Sequence, residues 1–226
     1  MRQHLFIDAD DTLWENNVFF ERAFDSFASR LAHSSMSCAE VRAALDGIEH
    51  VNNRVHGYGA ANFARNLRQC FERLAERPVT DVDIAFIDEI GRTLAVHPID
   101  LIDGVAGTVA ALSEVHELTL FSKGDPAEQR AKIDRSGLGG YFHHTAIVRE
   151  KDADTYRLEV AGRSIDSERC WMIGNSPKSD INPALEAGLG AVFVPNPNTW
   201  HLEKEEIRGG GRLLVVEKFA DLLDHF

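Results

Sequence analysis

Apolar residues recur along this chain at two different spacings, and the change from one to the other divides the sequence. Leu5, Phe6 and Ile7 form a short continuous run that predicts a first strand over 4–9. From about residue 17 to 96 the spacing is helical. Phe20, Phe24, Phe27 and Leu31 share one face, followed by Val41, Leu45 and Ile48, then Phe63, Leu67, Phe71 and Leu74. A fourth helix carries Ile84, Ile87, Ile90 and Leu94, with Thr80 as its N-cap and Asp83 three residues on. Beyond Val105 helix and strand patterns alternate: helix 105–115, strand 118–121, helix 126–136, strand 145–148, helix 152–161, strand 170–173, helix 183–187, strands 191–194 and 213–216, and a short terminal helix. Strand runs apolar at successive positions, such as Ala191-Val192-Phe193-Val194, belong to a parallel sheet covered on both faces. The expected fold is therefore α/β, a Rossmann-like parallel sheet that the first strand must join. The intervening helical block reads as an insertion, giving a core of 1–15 and 98–226 and an inserted α-helical cap of 16–97 over the strand ends.

Composition narrows the function classes. With 226 residues and 44% hydrophobic content the chain can bury a sizeable core. A formal net charge of −12 and no Lys/Arg cluster argue against nucleic acid as a partner. An anionic substrate would have to be held by local charges or a metal. Cys38, Cys70 and Cys170 are widely spaced and odd in number, which suits buried thiols in a reducing compartment better than disulfides or a zinc site. Only Met1 to His4 precede the first strand, no apolar run reaches membrane-spanning length, and a soluble, cytoplasmic protein is expected.

Polar residues gather where the strands end. Asp8 and Asp10 lie two apart at the exit of the first strand, so pleat alternation would point both carboxylates the same way, towards the crevice where open α/β sheets bind ligands. Taken alone, D-x-D could equally be an acidic turn. Ser122 closes the second strand, just before a helix start made of Asp125 as N-cap, Pro126 and Glu128. A hydroxyl beside loop N–H groups suits phosphoryl oxygens. Lys151 follows the third strand, and Gly174-Asn175-Ser176-Pro177-Lys178-Ser179-Asp180 the fourth. Four strand ends thus each supply one part of a phosphoryl-transfer site.

In this order the residues resemble the motifs of the haloacid dehalogenase superfamily of aspartate-nucleophile hydrolases, over nearly the full length. Asp8, Asp10 and Thr12 match D-x-D-x-T, Ser122 the second-motif hydroxyl, and Lys151 the third-motif lysine. Asn175 and Asp180 match the fourth motif, with Asn175 standing where the family usually has an aspartate. The resemblance implies a nucleophilic Asp8 and Asp10 as general acid and base. It implies phosphate binding by Thr12, Ser122, Lys123 and Lys151, and a Mg²⁺ ion held by Asp8, the Asp10 carbonyl, Asp180 and, through its amide, Asn175. The expected substrate is a small phosphorylated metabolite.

Three functions compete within that resemblance. Asp10 favours a phosphatase, because a family dehalogenase needs no acid for an oxygen leaving group. Phosphonate cleavage would require a cap amine, and residues 17–96 contain no lysine. A catalytically silent phospho-ligand binder remains the third reading, since Asn175 removes one charge from the metal site. Further candidates are Arg54, His56 and Tyr58 near Gly57 and Gly59 for substrate selection, Trp14 as cavity wall or packing, and the 196–200 loop as a pocket border. His143-His144 precedes a strand and reads as surface or loop packing, not a ligand pair.

Overall fold

The computed structural model describes Arg2 to Phe226. The chain divides into two compact units: residues up to Asn17 together with Ile99–Phe226, and Val18–Pro98.

The first unit is built on six parallel strands: β1 (His4–Ile7), β2 (Glu117–Lys123), β3 (His144–Val148), β4 (Cys170–Gly174), β5 (Gly190–Phe193) and β6 (Leu213–Val215). Their order is β3-β2-β1-β4-β5-β6, so β1 is central, with Ile7 level with Leu120 on one side and Ile173 on the other. Side-chain alternation sorts the apolar residues onto two faces. Leu5, Ile7, Leu118, Leu120, Ile173 and Val192 share one cluster with Val105, Val109 and Leu112, whereas Phe6, Phe121 and Met172 pack with Tyr156, Val160 and Ala184. Chain order reverses between β1 and β4, and at such a switch point open α/β sheets form their binding crevice beyond the carboxyl ends.

The predicted first strand is longer than the observed one. β1 ends at Ile7 and only the N–H of Asp8 extends the ladder, donating to Ile173 O at 2.9 Å. The carbonyl of Ala9 then accepts from the N–H groups of Thr12, Leu13 and Trp14, and Asp11 adopts φ 61°, so the chain turns sharply. The 183–187 helix also differs in its start: a π-type turn, Pro177–Ile181, precedes the short helix Asn182–Glu186.

The second unit is helical throughout: α1 (Asn17–Leu31, its first residue in the sheet unit), α2 (Cys38–His56), α3 (Ala60–Leu74) and α4 (Asp81–Ala95). Phe24, Phe27, Val41, Leu45, Phe63, Leu67, Phe71 and Ile87 close its core, and Phe20 packs on it partly buried. Thr80 caps α4 in a reciprocal box with Asp83, and Arg30 and Arg77 also bind that carboxylate. Cys38 departs from the expected burial, because as the first residue of α2 it faces outward, while Cys70 and Cys170 are buried. Burial raises the latter two thiols to about 11 and about 12. Arg54 and His56 end α2, and Tyr58 lies between Gly57 and Gly59, whose φ values of 80° and 122° favour glycine.

Glu49 is the unusual residue of the helical core. It is 4% exposed and its Oε2 has no hydrogen-bond partner. Burial, opposed by Arg42 and aided by Asp46 and Glu21, raises its carboxyl to about 8. A folded-state value above the unfolded one contributes stability at acid pH that is lost as pH rises. Glu49→Gln should therefore gain stability over wild type as pH increases from 5 to 9, in urea unfolding followed by circular dichroism. A difference independent of pH would contradict this assignment.

Candidate active site

The turn after β1 places Asp8 between its own Thr12 and groups from two other segments. Lys151, just beyond β3, approaches Asp8 Oδ1 at 2.5 Å and Asp180 Oδ1 at 2.8 Å. Thr12 Oγ1 lies 2.9 Å from Asp8 Oδ2. The ammonium is 2% exposed, so it is a buried cation clamped between two carboxylates. Burial alone would lower the Lys151 value, but the charges of Asp180 and Asp8 outweigh it and raise it. Asp180 has the opposite problem: burial, then the charge of Asp8, lift it to about 7 against the pull of Lys151. The backbone leaves room for Asp180 only because residue 174 is glycine; a Cβ there would collide with its carboxylate.

Asn175 is held at both ends. Its Oδ1 lies 3.1 Å from Thr12 Oγ1, and its Nδ2 donates to Thr199 Oγ1 at 2.7 Å. The 196–200 loop thereby reaches the site, and Asn196 Nδ2 also donates to the Asp11 carbonyl at 2.9 Å. Among the described residues no three His, Cys, Asp or Glu side chains gather as a metal cluster. The hard donors around Asp8 are two carboxylates, Asp8 and Asp180, and the amide oxygen of Asn175. All are oxygens, and Asp180 is short of positive charge, which suits a hard divalent cation.

Asp10 faces a second cation. Lys132 Nζ lies 2.8 Å from both of its oxygens, Gln129 Nε2 donates to Oδ2 at 3.0 Å, and Trp14 Nε1 to Oδ1 at 2.8 Å. Burial would raise this carboxyl, but the Lys132 charge and these hydrogen bonds hold it below its usual range. Gln129 Nε2 is also 2.5 Å from Ser122 Oγ at the end of β2. Asp11 is drawn away from the centre, accepting from the N–H groups of Asn16 and Asn17, and burial raises it to about 7.

Several contacts differ from the sequence expectation. β1 ends at Ile7, so Asp8 and Asp10 lie on the turn and not within a pleated strand, and each contacts a lysine, Asp8 with Lys151 and Asp10 with Lys132. Lys123 stands in another cluster, with its ammonium 2.9 Å from both Glu203 Oε1 and Ser179 Oγ, and Glu203 accepting in turn from Ser176 Oγ at 2.6 Å. Trp14 both packs, fully buried, and donates to Asp10. His143 and His144 have separate partners, Leu118 N–H and Glu117. Gln129, Lys132 and Glu203 were not identified from sequence, and Thr199 only as part of the 196–200 loop. The signal for the first two was available: after Pro126 the buried positions of the helix Pro126–Ser136 are Gln129, Lys132 and Ile133, so polar groups occupy the face that turns inward.

Residues 3–188 match the family model of haloacid dehalogenase-like hydrolases. The chain belongs to that family. It is 27% identical over 219 residues to pyrimidine 5'-nucleotidase YjjG of Escherichia coli, covering 89% of this chain and 88% of the relative. It is 26% identical over 196 residues to a phosphoserine phosphatase of Thermus thermophilus, covering 78% and 70%. A haloacid dehalogenase-like hydrolase from Xanthomonas campestris has the same fold with a TM-score of 0.83 at 30% identity, over 99% of this chain and 94% of that one. Dehalogenases are also structural neighbours, at 15% identity for the Xanthobacter autotrophicus enzyme, where the likeness is one of fold. No helix among the described residues is long and apolar enough to cross a membrane.

Lys151→Met should destabilise the fold by about 3 kcal/mol, because removing one partner of a buried ion pair leaves an uncompensated charge. Urea denaturation at neutral pH measures this. Adding Asp180→Asn should recover part of the loss, and a change below about 1 kcal/mol would show that Lys151 does not neutralise the pair.

Proposed function

We propose that this hydrolase cleaves phosphomonoesters of small metabolites through a phosphorylated Asp8. The observation that carries the reading is the presence of two acidic side chains after β1 in different surroundings, Asp8 against Lys151 and Asp180, and Asp10 against Lys132, Gln129 and Trp14. Two carboxylates in unlike settings can take unlike roles. The activities named for the Escherichia coli and Thermus relatives, both on phosphate esters, support the same class.

In this mechanism a carboxylate oxygen of Asp8 attacks phosphorus in line with the departing oxygen. Lys151 offsets the repulsion between the anionic nucleophile and the anionic ester, and Thr12, Ser122 and Lys151 bind the phosphoryl oxygens. Asp10, held ionised at rest by Lys132, takes up a proton as the anionic ester approaches, gives it to the leaving oxygen, and then takes one from the water that hydrolyses the acyl phosphate. Asp8, Asp180, the Asp10 carbonyl and the Asn175 amide would hold Mg²⁺, which when bound polarises the phosphoryl group. Lys123 would hold the 176–181 turn through Glu203 and Ser179 instead of binding phosphate. The helical unit, Val18–Pro98, would serve as the cap of this hydrolase.

A carbon–halogen hydrolase would have no use for Asp10 as a proton donor, which places that reading second. Asp8→Asn should abolish phosphate release from an aryl phosphate and a phosphometabolite panel with Mg²⁺, with an unchanged circular dichroism spectrum. Asp10→Asn should reduce it about 10²- to 10⁴-fold, the range for removing a general acid or base. Full activity in Asp8→Asn, or no wild-type turnover across the panel, would overturn the assignment.

A further inference from the structure

One buried ionisable group has no part in the mechanism above. Lys132 is 2% exposed on the helix after Ser122, and burying an ammonium is costly unless it is paired. Its partners are both oxygens of Asp10 at 2.8 Å and Asn16 Oδ1 at 3.0 Å; the Glu128 carboxylate is farther, at 4.0 Å. Gln129, three residues earlier on the same helix, bonds Asp10, Ser122 and the Lys123 carbonyl with one amide nitrogen. Residues three apart lie on one helix face, so this face presents a cation and an amide together to the Asp10 carboxyl. Trp14 braces the Oδ1 side from the nucleophile loop, and the Asp10 side chain keeps 24% exposure.

Resting on the phosphatase reading, we infer that Lys132 is a positioning residue that, with Gln129, fixes the direction of the Asp10 carboxyl for proton transfer and ties it to the phosphate-binding Ser122. The clamp is anchored where it matters. Asp125 caps the helix through the N–H groups of Ala127 and Glu128 immediately after β2, so Ser122, Gln129 and Lys132 belong to one rigid strand-to-helix segment. Without the ammonium the Asp10 side chain would lose the one donor that contacts both of its oxygens. Proton transfer needs the carboxyl within hydrogen-bond reach of the leaving oxygen, so freedom gained by Asp10 reads out in turnover before it affects substrate capture.

The test is a double-mutant cycle in steady-state hydrolysis of p-nitrophenyl phosphate with Mg²⁺, using wild type, Lys132→Met, Asp10→Asn and the double variant, with thermal unfolding of each. Lys132→Met should lower kcat at least about tenfold with KM within about threefold, and should lower kcat by less than about twofold further in the Asp10→Asn background. A loss by the same factor in both backgrounds, or a kcat within about twofold of wild type, would overturn the inference while leaving the phosphatase reading intact. A wild-type protein without turnover overturns the phosphatase reading and, with it, this one. If Lys132→Met does not fold, Gln129→Leu enters the same cycle under the same criteria.

Discussion

The candidate site depends on one constraint: the carboxylates of Asp8, Asp180 and Asp10, brought together at the ends of the central strands, are matched by cations, whereas Asp11 beside them is held by backbone N–H groups. Asp8 and Asp180 share Lys151, and Asp10 is matched by Lys132. An unpaired charge in such a setting would cost several kcal/mol, so the lysines are conditions for placing the acids there at all. Each cation comes from a different part of the chain, Lys151 from beyond β3 and Lys132 from the helix after β2. The site therefore exists only when the parallel sheet has brought those segments beside β1.

The same matching extends outward. Lys123, partly buried, and the buried Glu203 form a third pair that holds Ser176 and Ser179, and Ser176 donates its N–H to Asp180 Oδ2 at 2.9 Å. Burial would raise Glu203, but the charge of Lys123 and the serine hydrogen bonds hold it low. A carboxylate some 20 residues beyond the fourth motif thus helps fix the turn carrying Asp180. Asn175 belongs to this scaffold: its amide joins the Thr12 hydroxyl to Thr199 and so ties the nucleophile loop to the 196–200 loop.

Much of this was legible from spacing. Strand runs such as Leu118–Phe121 and Cys170–Ile173 fall within observed strands, and the Thr80 cap with Asp83 forms as its pattern requires. The motif residues Asp8, Thr12, Lys151, Asn175 and Asp180 meet in one contact network, although 143 residues separate Asp8 from Lys151. What spacing could not give were partners chosen by tertiary contact alone. Lys132, which no motif singles out, gains its role only where the fold sets its helix face against Asp10, 122 residues away. The end of β1 was misjudged for a local reason, since Asp8-Ala9 continues the strand pattern while the Ala9 carbonyl instead closes a turn.

The central claim is that the cation-matched Asp8 is the group that attacks the substrate. The most direct measurement is an acid quench of the enzyme during turnover of a ³²P-labelled phosphomonoester, followed by peptide mapping and hydroxylamine treatment. The account predicts label on the peptide containing Asp8, released by hydroxylamine as an acyl phosphate. Product formed with no labelled intermediate, or label on a peptide lacking Asp8, would contradict it.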